Sequence, residues 1–367
     1  MLTRFVGRRR LAAVGALAAA SLVLAACSSS EPSTTGTGDA SPVAAEITSL
    51  RLGFFPNVTH APALVGLQEG FFKEHLDPLG VKVTPTVFNA GPEAVTALFG
   101  DSLDIAYVGP NPTINAWVQS QGDAIKVISG AASAGASLVV NPDITSPADL
   151  AGKTIVTPQL GNTQDVALRY WLKQQGYQTD LNEGGDVSVK PLSNSEGLAA
   201  YSAGEVDGAW VPEPWATLYE QQGAKVLVDE RDLWPGGKFV TTDVVVRTAF
   251  LQQYPQVVKA FLQGHVDALQ YIKKDPKGAQ AAVNTSLTAL TGSPVDPKAL
   301  SDSWTKLAFT ADPLKATLEE SAQHAMDVSS ELLDPEAFKA AGNIDDLYDL
   351  KILNGILKKQ GLPEVAS

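Results

Sequence analysis

From Ile47 onward, short apolar runs alternate with segments of helical periodicity. SLRLGFF (49–55) alternates and then turns apolar, as a strand entering a core does, and PNVTH (56–60) breaks it with turn residues. APALVGLQEGFF (61–72) predicts an amphipathic helix with Gly70 near its end, and VKVTPTVF (81–88) a second strand. NAGPEAVTALF (89–99) predicts a helix opening at Gly91-Pro92, because proline is tolerated in a first turn, and LDIAYVG (103–109) a buried strand. Strands that alternate with helices predict parallel pairing and an α/β fold.

The same order returns after Asp149. KTIVT (153–157) is a strand, PQLGN a loop, TQDVALRYWLKQQG a helix, DVSVKPL a strand, SNSEGLAAYSA a helix and VDGAWV (206–211) a strand. Laid over one another at an offset of 103, EAVTALFGDSLDIAYV from Glu93 and EGLAAYSAGEVDGAWV from Glu196 share five identities in sixteen: Glu93/Glu196, Ala97/Ala200, Asp104/Asp207, Ala106/Ala209 and Val108/Val211. Two similar α/β lobes with a cleft between them are expected, with lobe 1 over 47–140 and 240–367 and lobe 2 over 141–239. FVTTDVVVR (239–247) is the expected return strand, so two crossing strands would form a hinge, and the chain beyond Thr248 is mostly helical. In open α/β sheets ligands sit beyond the carboxyl ends of the strands, which directs attention to FFPNVTH, FNAGP, VGPNP, TPQLGNTQ, LSNS and VPEPW.

The first 46 residues follow another pattern. Four arginines (4, 8, 9 and 10) precede an apolar stretch from Leu11 to Ala26, short for a membrane span of about 20 residues, and LAAC ends it on small residues. This is a secretory signal (1–26), and LAAC resembles the lipobox of bacterial lipoproteins, in which cleavage leaves Cys27 acylated. Cys27 is the single cysteine, so internal disulfides and dithiol chemistry are excluded. Residues 27–46 are rich in Ser, Thr, Gly and Pro and read as a flexible tether to the membrane. Loss of the signal removes 4 of 27 basic residues and no acid, leaving 23 against 40, a formal charge of −17. That charge argues against nucleic acid as a partner, and any small anion must be held by local dipoles.

Catalytic constellations are missing from the sequence. His60, His75, His265 and His324 show no metal spacing, there is no G-x-S-x-G elbow, and no catalytic residue, metal or cofactor is expected. His60 stands apart because it lies in a cleft loop; the other three read as surface or satisfied structural residues. TPQLGNTQ lacks the Gly-Lys-Ser/Thr of a nucleotide loop but offers a helix start, capped by Asn162 or Thr163, whose free N–H groups attract an anion. A plain capped helix explains the same residues equally well.

The other cleft loops favour the anion. Asn57, Thr59, Asn89, Asn111, Gln159, Asn162, Thr163, Gln164, Ser193 and Thr241 are neutral donors with few lysines or arginines nearby, which suits a singly charged group better than a polyphosphate. Phe54, Phe55, Tyr107, Trp210 and Trp215 lie at or near strand ends and could sandwich an apolar tail; Tyr107 reads as core and Trp215 as cleft. Glu213 could pair a ligand amine, although a role in the hinge is the stronger reading.

RLGFFPNVTHAPALVGLQEGFFK, NAGPEAVTALFGDSLDIAYVGPNP, SPADLAGKTIVTPQLGNTQDVALRYWL, VDGAWVPEPWA and DLWPGGKFVTT resemble the extracytoplasmic substrate-binding proteins of ABC importers for aliphatic sulfonates, taurine and nitrate. The resemblance runs from about Leu50 to the C-terminal helices. It implies a type II periplasmic-binding fold closing on its ligand like a hinged clam, a permease and an ATPase as partners, and a monomeric, lipid-anchored protein outside the membrane. It also implies a cleft lined by Phe55, Asn57, Thr59 and His60, by Gly91-Pro92, by Gly109 and Asn111, by Gln159, Gly161, Asn162, Thr163 and Gln164, and by Glu213, to which the loop reading adds Asn89, Trp210 and Trp215. An aliphatic sulfonate is the expected ligand, with nitrate, taurine or a thiamin-pyrimidine precursor as alternatives. An enzyme on the same scaffold and a tethered sensor are the rival classes; the resembling pyrimidine synthases are cysteine-rich iron users, unlike this chain.

Overall fold

The computed structural model describes residues 47–366. The signal, the tether and Cys27 lie outside the described residues. Eleven strands form two sheets. In chain order they are β1 (Ser49–Phe54), β2 (Lys82–Val87), β3 (Ile105–Val108), β4 (Ile125–Ala134), β5 (Ala136–Val140), β6 (Thr154–Thr157), β7 (Ser188–Pro191), β8 (Gly208–Pro212), β9 (Lys225–Asp229), β10 (Val240–Arg247) and β11 (Leu307–Phe309). The first sheet has the order β11-β4-β10-β3-β1-β2 and the second β7-β6-β8-β5-β9.

Parallel pairing holds where strand and helix alternate, in β2-β1-β3 and β7-β6-β8. The strands that carry the chain between the sheets, β4, β5 and β10, pair antiparallel with their neighbours, as do β9 and β11. This departs from the all-parallel expectation because β5 and β10 enter their sheets from the other sheet, without the α-helical crossover that a parallel pair requires, whereas β4, which follows α4, keeps the direction of β3. The changeover falls at Ala134-Gly135, with φ of 65° and 79°. β5 therefore belongs to the second sheet, and the sheets part at Gly135, ahead of the expected boundary at 140. Gly135 suits the corner because a Cβ there would stand 2.4 Å from the Leu307 side chain, besides the strain of its positive φ.

The internal echo corresponds to one repeated device. Asp104, just before β3, accepts the Arg51 amide at 2.8 Å and donates its own amide to Arg51 O at 3.0 Å. Asp207, just before β8, does the same with Thr154, at 2.9 and 2.8 Å. Each aspartate locks the register of a parallel pair. Glu93 and Glu196 likewise reach back to backbone amides before their helices, those of Asn89 and Ser193, both at 3.2 Å.

Both sheets are buried on two faces, so alternate side chains feed different cores. In β3, Ile105 and Tyr107 join one cluster and Ala106 and Val108 another; in β8, Trp210 faces one side and Ala209 and Val211 the other. Seven helices in the first two thirds of the chain cover the sheets: α1 (Ala61–Gln68), α2 (Phe71–Leu76), α3 (Gly91–Phe99), α4 (Pro110–Gln119), α5 (Thr163–Gln174), α6 (Asn194–Ser202) and α7 (Trp215–Gln221). Then follow α8 (Thr248–Gln253), α9 (Pro255–Lys274), α10 (Pro276–Thr291), α11 (Pro297–Trp304) and α12 (Lys315–Val328). α9, the longest, buries eleven residues; it packs chiefly on α1 and α2 and reaches β3 where Phe261 and His265 meet Tyr107. α12 packs against α4 of its own lobe and α5 of the other, where Tyr170 stacks on His324 at 3.7 Å between ring centres.

Candidate functional site

The helices α3, α4 and α5 each begin directly after a strand or its loop, and their first residues meet where the lobes face each other. Gly91 from α3, Gly109 and Pro112 from α4, and Asn162, Thr163 and Gln164 from α5 line one cavity of about 30 Å³. Phe55, Asn57, Thr59 and His60, which follow β1, together with Pro212 and Thr241, complete it. Nine of the seventeen residues expected from the sequence are thus gathered around one space.

No Lys, Arg, Asp or Glu is among the described residues that line this cavity. The amides of Thr163 and Gln164 open α5 and donate to no acceptor among the described residues, whereas the Asp165 amide is taken by Asn162 Oδ1 at 2.9 Å. His60 is buried, and its Nδ1 accepts the Phe55 amide at 3.3 Å, which puts the proton on Nε2. Burial holds its pKa down at about 3, so the ring is neutral at physiological pH. The result is a set of neutral donors at the positive ends of helices, suited to one negative charge.

The α5 end of the cavity is held by groups behind it. Asp165, fully buried, accepts Thr157 Oγ1 at 2.8 Å and the Gly161 amide at 2.9 Å, and pairs with Arg169 Nε at 3.0 Å. Arg169 also donates to Asp180 O at 2.6 Å, so this cation is spent on the scaffold. The Asp165/Arg169 spacing of four was a legible helix-face signal that the sequence reading passed over. Pro112 was also missed, because nothing in VGPNP says which proline of the first α4 turn faces inward.

Across the cleft the lobes touch. A Cβ on Gly109 would lie 2.3 Å from Thr163 Oγ1, so the missing side chain is what lets α4 and α5 meet. Trp215 Nε1 donates to Asn57 Oδ1 at 2.8 Å, and the Val58 amide donates to Glu213 O at 3.0 Å.

Several expected positions lie elsewhere. Trp210 is wholly buried beneath α5, 6.0 Å from the Trp171 ring, and its Nε1 donates to Glu230 at 2.7 Å. Its place in the strand alternation turns it to the core. Glu213 is also buried: its Oε2 accepts Ser303 Oγ at 2.9 Å and its Oε1 pairs with Lys306 at 2.9 Å, an arrangement that ties the end of β8 to the first lobe. Asn111 donates to Ser321 O at 3.0 Å, turned towards α12, and Asn89 is exposed. Gln159 is half-buried outside the cavity lining; Pro92 and Gly161 line a neighbouring groove, and Trp215 reaches the site only through Asn57. Among the other histidines, His265 bridges Tyr107 and Gly130 O, His75 pairs with Asp267 at 2.6 Å and His324 stacks on Tyr170.

The sequence model of the NMT1-like family matches residues 43–287, more than half of the chain. The chain belongs to the NMT1-like family. This NMT1-like chain is 34% identical over 220 residues to the taurine-binding periplasmic protein of Escherichia coli (strain K12), a match covering 59% of this chain and 66% of that one, just under two thirds. Among solved structures, the alkanesulfonate-binding protein SsuA from Xanthomonas axonopodis pv. citri bound to MOPS superposes with a TM-score of 0.66 at 20% identity, over 84% of this chain and 100% of that one. The periplasmic nitrate-binding protein NrtA from Synechocystis PCC 6803 gives 0.71 at 15% identity, over 87% and 90%. The fold is that of the periplasmic binding proteins.

Proposed function

We propose that this protein is the solute-binding component of an ABC importer, capturing a small organic monoanion, foremost an aliphatic sulfonate, as its lobes close. The observation that carries the reading is the uncharged donor cavity built from both lobes at the starts of α3, α4 and α5. A sulfonate spreads one charge over three acceptor oxygens, which matches several neutral donors better than one cation. Nitrate is the second reading, favoured by the small size of the cavity, about 30 Å³. Taurine is less well served, since the one acid expected to meet its ammonium group, Glu213, is engaged by Ser303 and Lys306.

Binding without turnover is the expected activity, and the named relatives are binding proteins. Isothermal titration of the purified protein against sulfonates, taurine, nitrate and pyrimidine thiamin precursors tests it. Micromolar affinity, about 8 kcal/mol, is expected for a sulfonate. Silence across the panel sinks the reading, and chemical loss of a ligand during incubation would transfer the protein to the enzymes.

Membrane attachment through Cys27, the tether, delivery to a permease with its ATPase, and action as a monomer belong to the same proposal. No described helix is long and apolar enough to cross a membrane. Two acyl chains at Cys27 anchor stably where one is marginal, so Cys27→Ala is expected to release the protein into the medium. Retention of that variant in the membrane fraction would remove the lipid anchor.

A further inference from the structure

The donor cavity adjoins a larger space. Consecutive residues of both lobes divide between the two: Gly91 lines the small cavity and Pro92 a groove of about 430 Å³, while across the cleft Asn162 lines the cavity and Gly161 the groove. Pro112 lines both. The groove follows one face of α3, from Pro92 through Val95 to Phe99, and faces Leu160 and Leu181 of the second lobe. Phe99 and Leu160, 42% and 39% exposed, are two of only seven large apolar side chains left open to solvent among the described residues, and both line this one groove.

We propose that this groove is a tail subsite for an unbranched apolar chain attached to the anionic head. The proposal rests on the reading of the small cavity as the head site. The seven steps along α3 from Pro92 to Phe99 span about 10 Å, the reach of about six to eight carbons. Thr96, Asn115 and Gln119 give the groove a polar side, and the apolar side is supplied by both lobes, so a tail bound along it fastens them together and tail burial and closure reinforce each other. Glu331 is the one charged residue lining the groove among those described, and it repels a second anionic group on the ligand. The subsite therefore selects medium-chain alkanesulfonates over nitrate, taurine and dianions.

Titration of the purified full chain with methane-, butane-, hexane- and octanesulfonate tests the groove. Full burial of a methylene strengthens binding about fourfold, so an open groove is expected to give about two- to fourfold per added methylene up to six to eight carbons. Phe99→Asn and Leu160→Asn, at exposed positions with melting temperature as the folding control, are expected to flatten that dependence. Methanesulfonate binding with affinity flat or falling along the series overturns the tail subsite and leaves the head site standing. So does tighter binding of an ω-aminoalkanesulfonate than of its methyl-ended equivalent, which would give the groove to Glu331 and an ammonium group. No binding of any sulfonate overturns head and tail together.

Discussion

At Gly109 a missing side chain lets α4 and α5 meet across the cleft. A methyl group there would sit 2.3 Å from Thr163 Oγ1, well inside contact distance, so Gly109→Ala is expected to hold the lobes apart and weaken ligand binding at least tenfold, about 1.4 kcal/mol. Titration calorimetry reads the loss, and unchanged affinity would mean that Thr163 simply rotates away. His60 makes a pH prediction. Its folded pKa of about 3 lies below the ordinary 6.5, so it donates as a neutral ring and affinity should stay level from pH 8 to pH 5. A tenfold gain on acidification would show an imidazolium in the complex instead. The same depression means that stability from His60 is intact above pH 6.5 and is lost as pH falls towards 3. Which neighbours acquire such roles was only half legible. Asn162 was marked by its place before a helix, whereas Trp210 looked as suited to a cleft as Trp215, because alternation along a strand does not say which face is the core.

At the scale of elements, α5 carries the strongest local design. Its cap Asn162 accepts the Asp165 amide, and Asn162→Ala should cost about 1 kcal/mol of stability as well as ligand affinity, read by denaturant titration with and without ligand. Loss of affinity without loss of stability would mean that Asn162 serves the ligand and not the helix. The return crossover carries Glu230, buried, bonded to Trp210 and raised by burial to a pKa of about 7. A raised acid stabilises the fold below its unfolded value of 4.5 and loses that contribution as pH climbs through 7, worth about 3 kcal/mol across the window. Glu230→Gln should therefore melt like the unaltered protein at pH 4.5 and above it at pH 8. Equal melting temperatures at pH 8 would show that the Glu230 carboxylate is solvated in the fold and its pKa is not raised. Such crossovers were the least legible elements: β5 follows β4 with only Gly135 between them, outside the strand–helix rhythm that exposed β1, β3, β6 and β8.

For the whole molecule, ligand capture and lobe contact are one event in this reading. The Trp215–Asn57 bond joins the lobes beside the cavity, so tryptophan emission is expected to shift on ligand addition, and Trp215→Phe to reduce that shift. An unaltered shift in the variant would assign the signal to other tryptophans. The sequence alone determined the α/β class, the doubled architecture and the loops that line the cavity, because strand and helix periods are local and the repeated Asp104 and Asp207 perform the same local task in each half. Only the tertiary structure decided which side chains share the cavity, that Glu213 is buried against Ser303 and Lys306, and that α5 leans on α12 of the opposite lobe. Those facts depend on the rotation of each helix, the face of each strand and the relative placement of distant segments, which are set by packing across the chain and leave no mark in any single stretch of it.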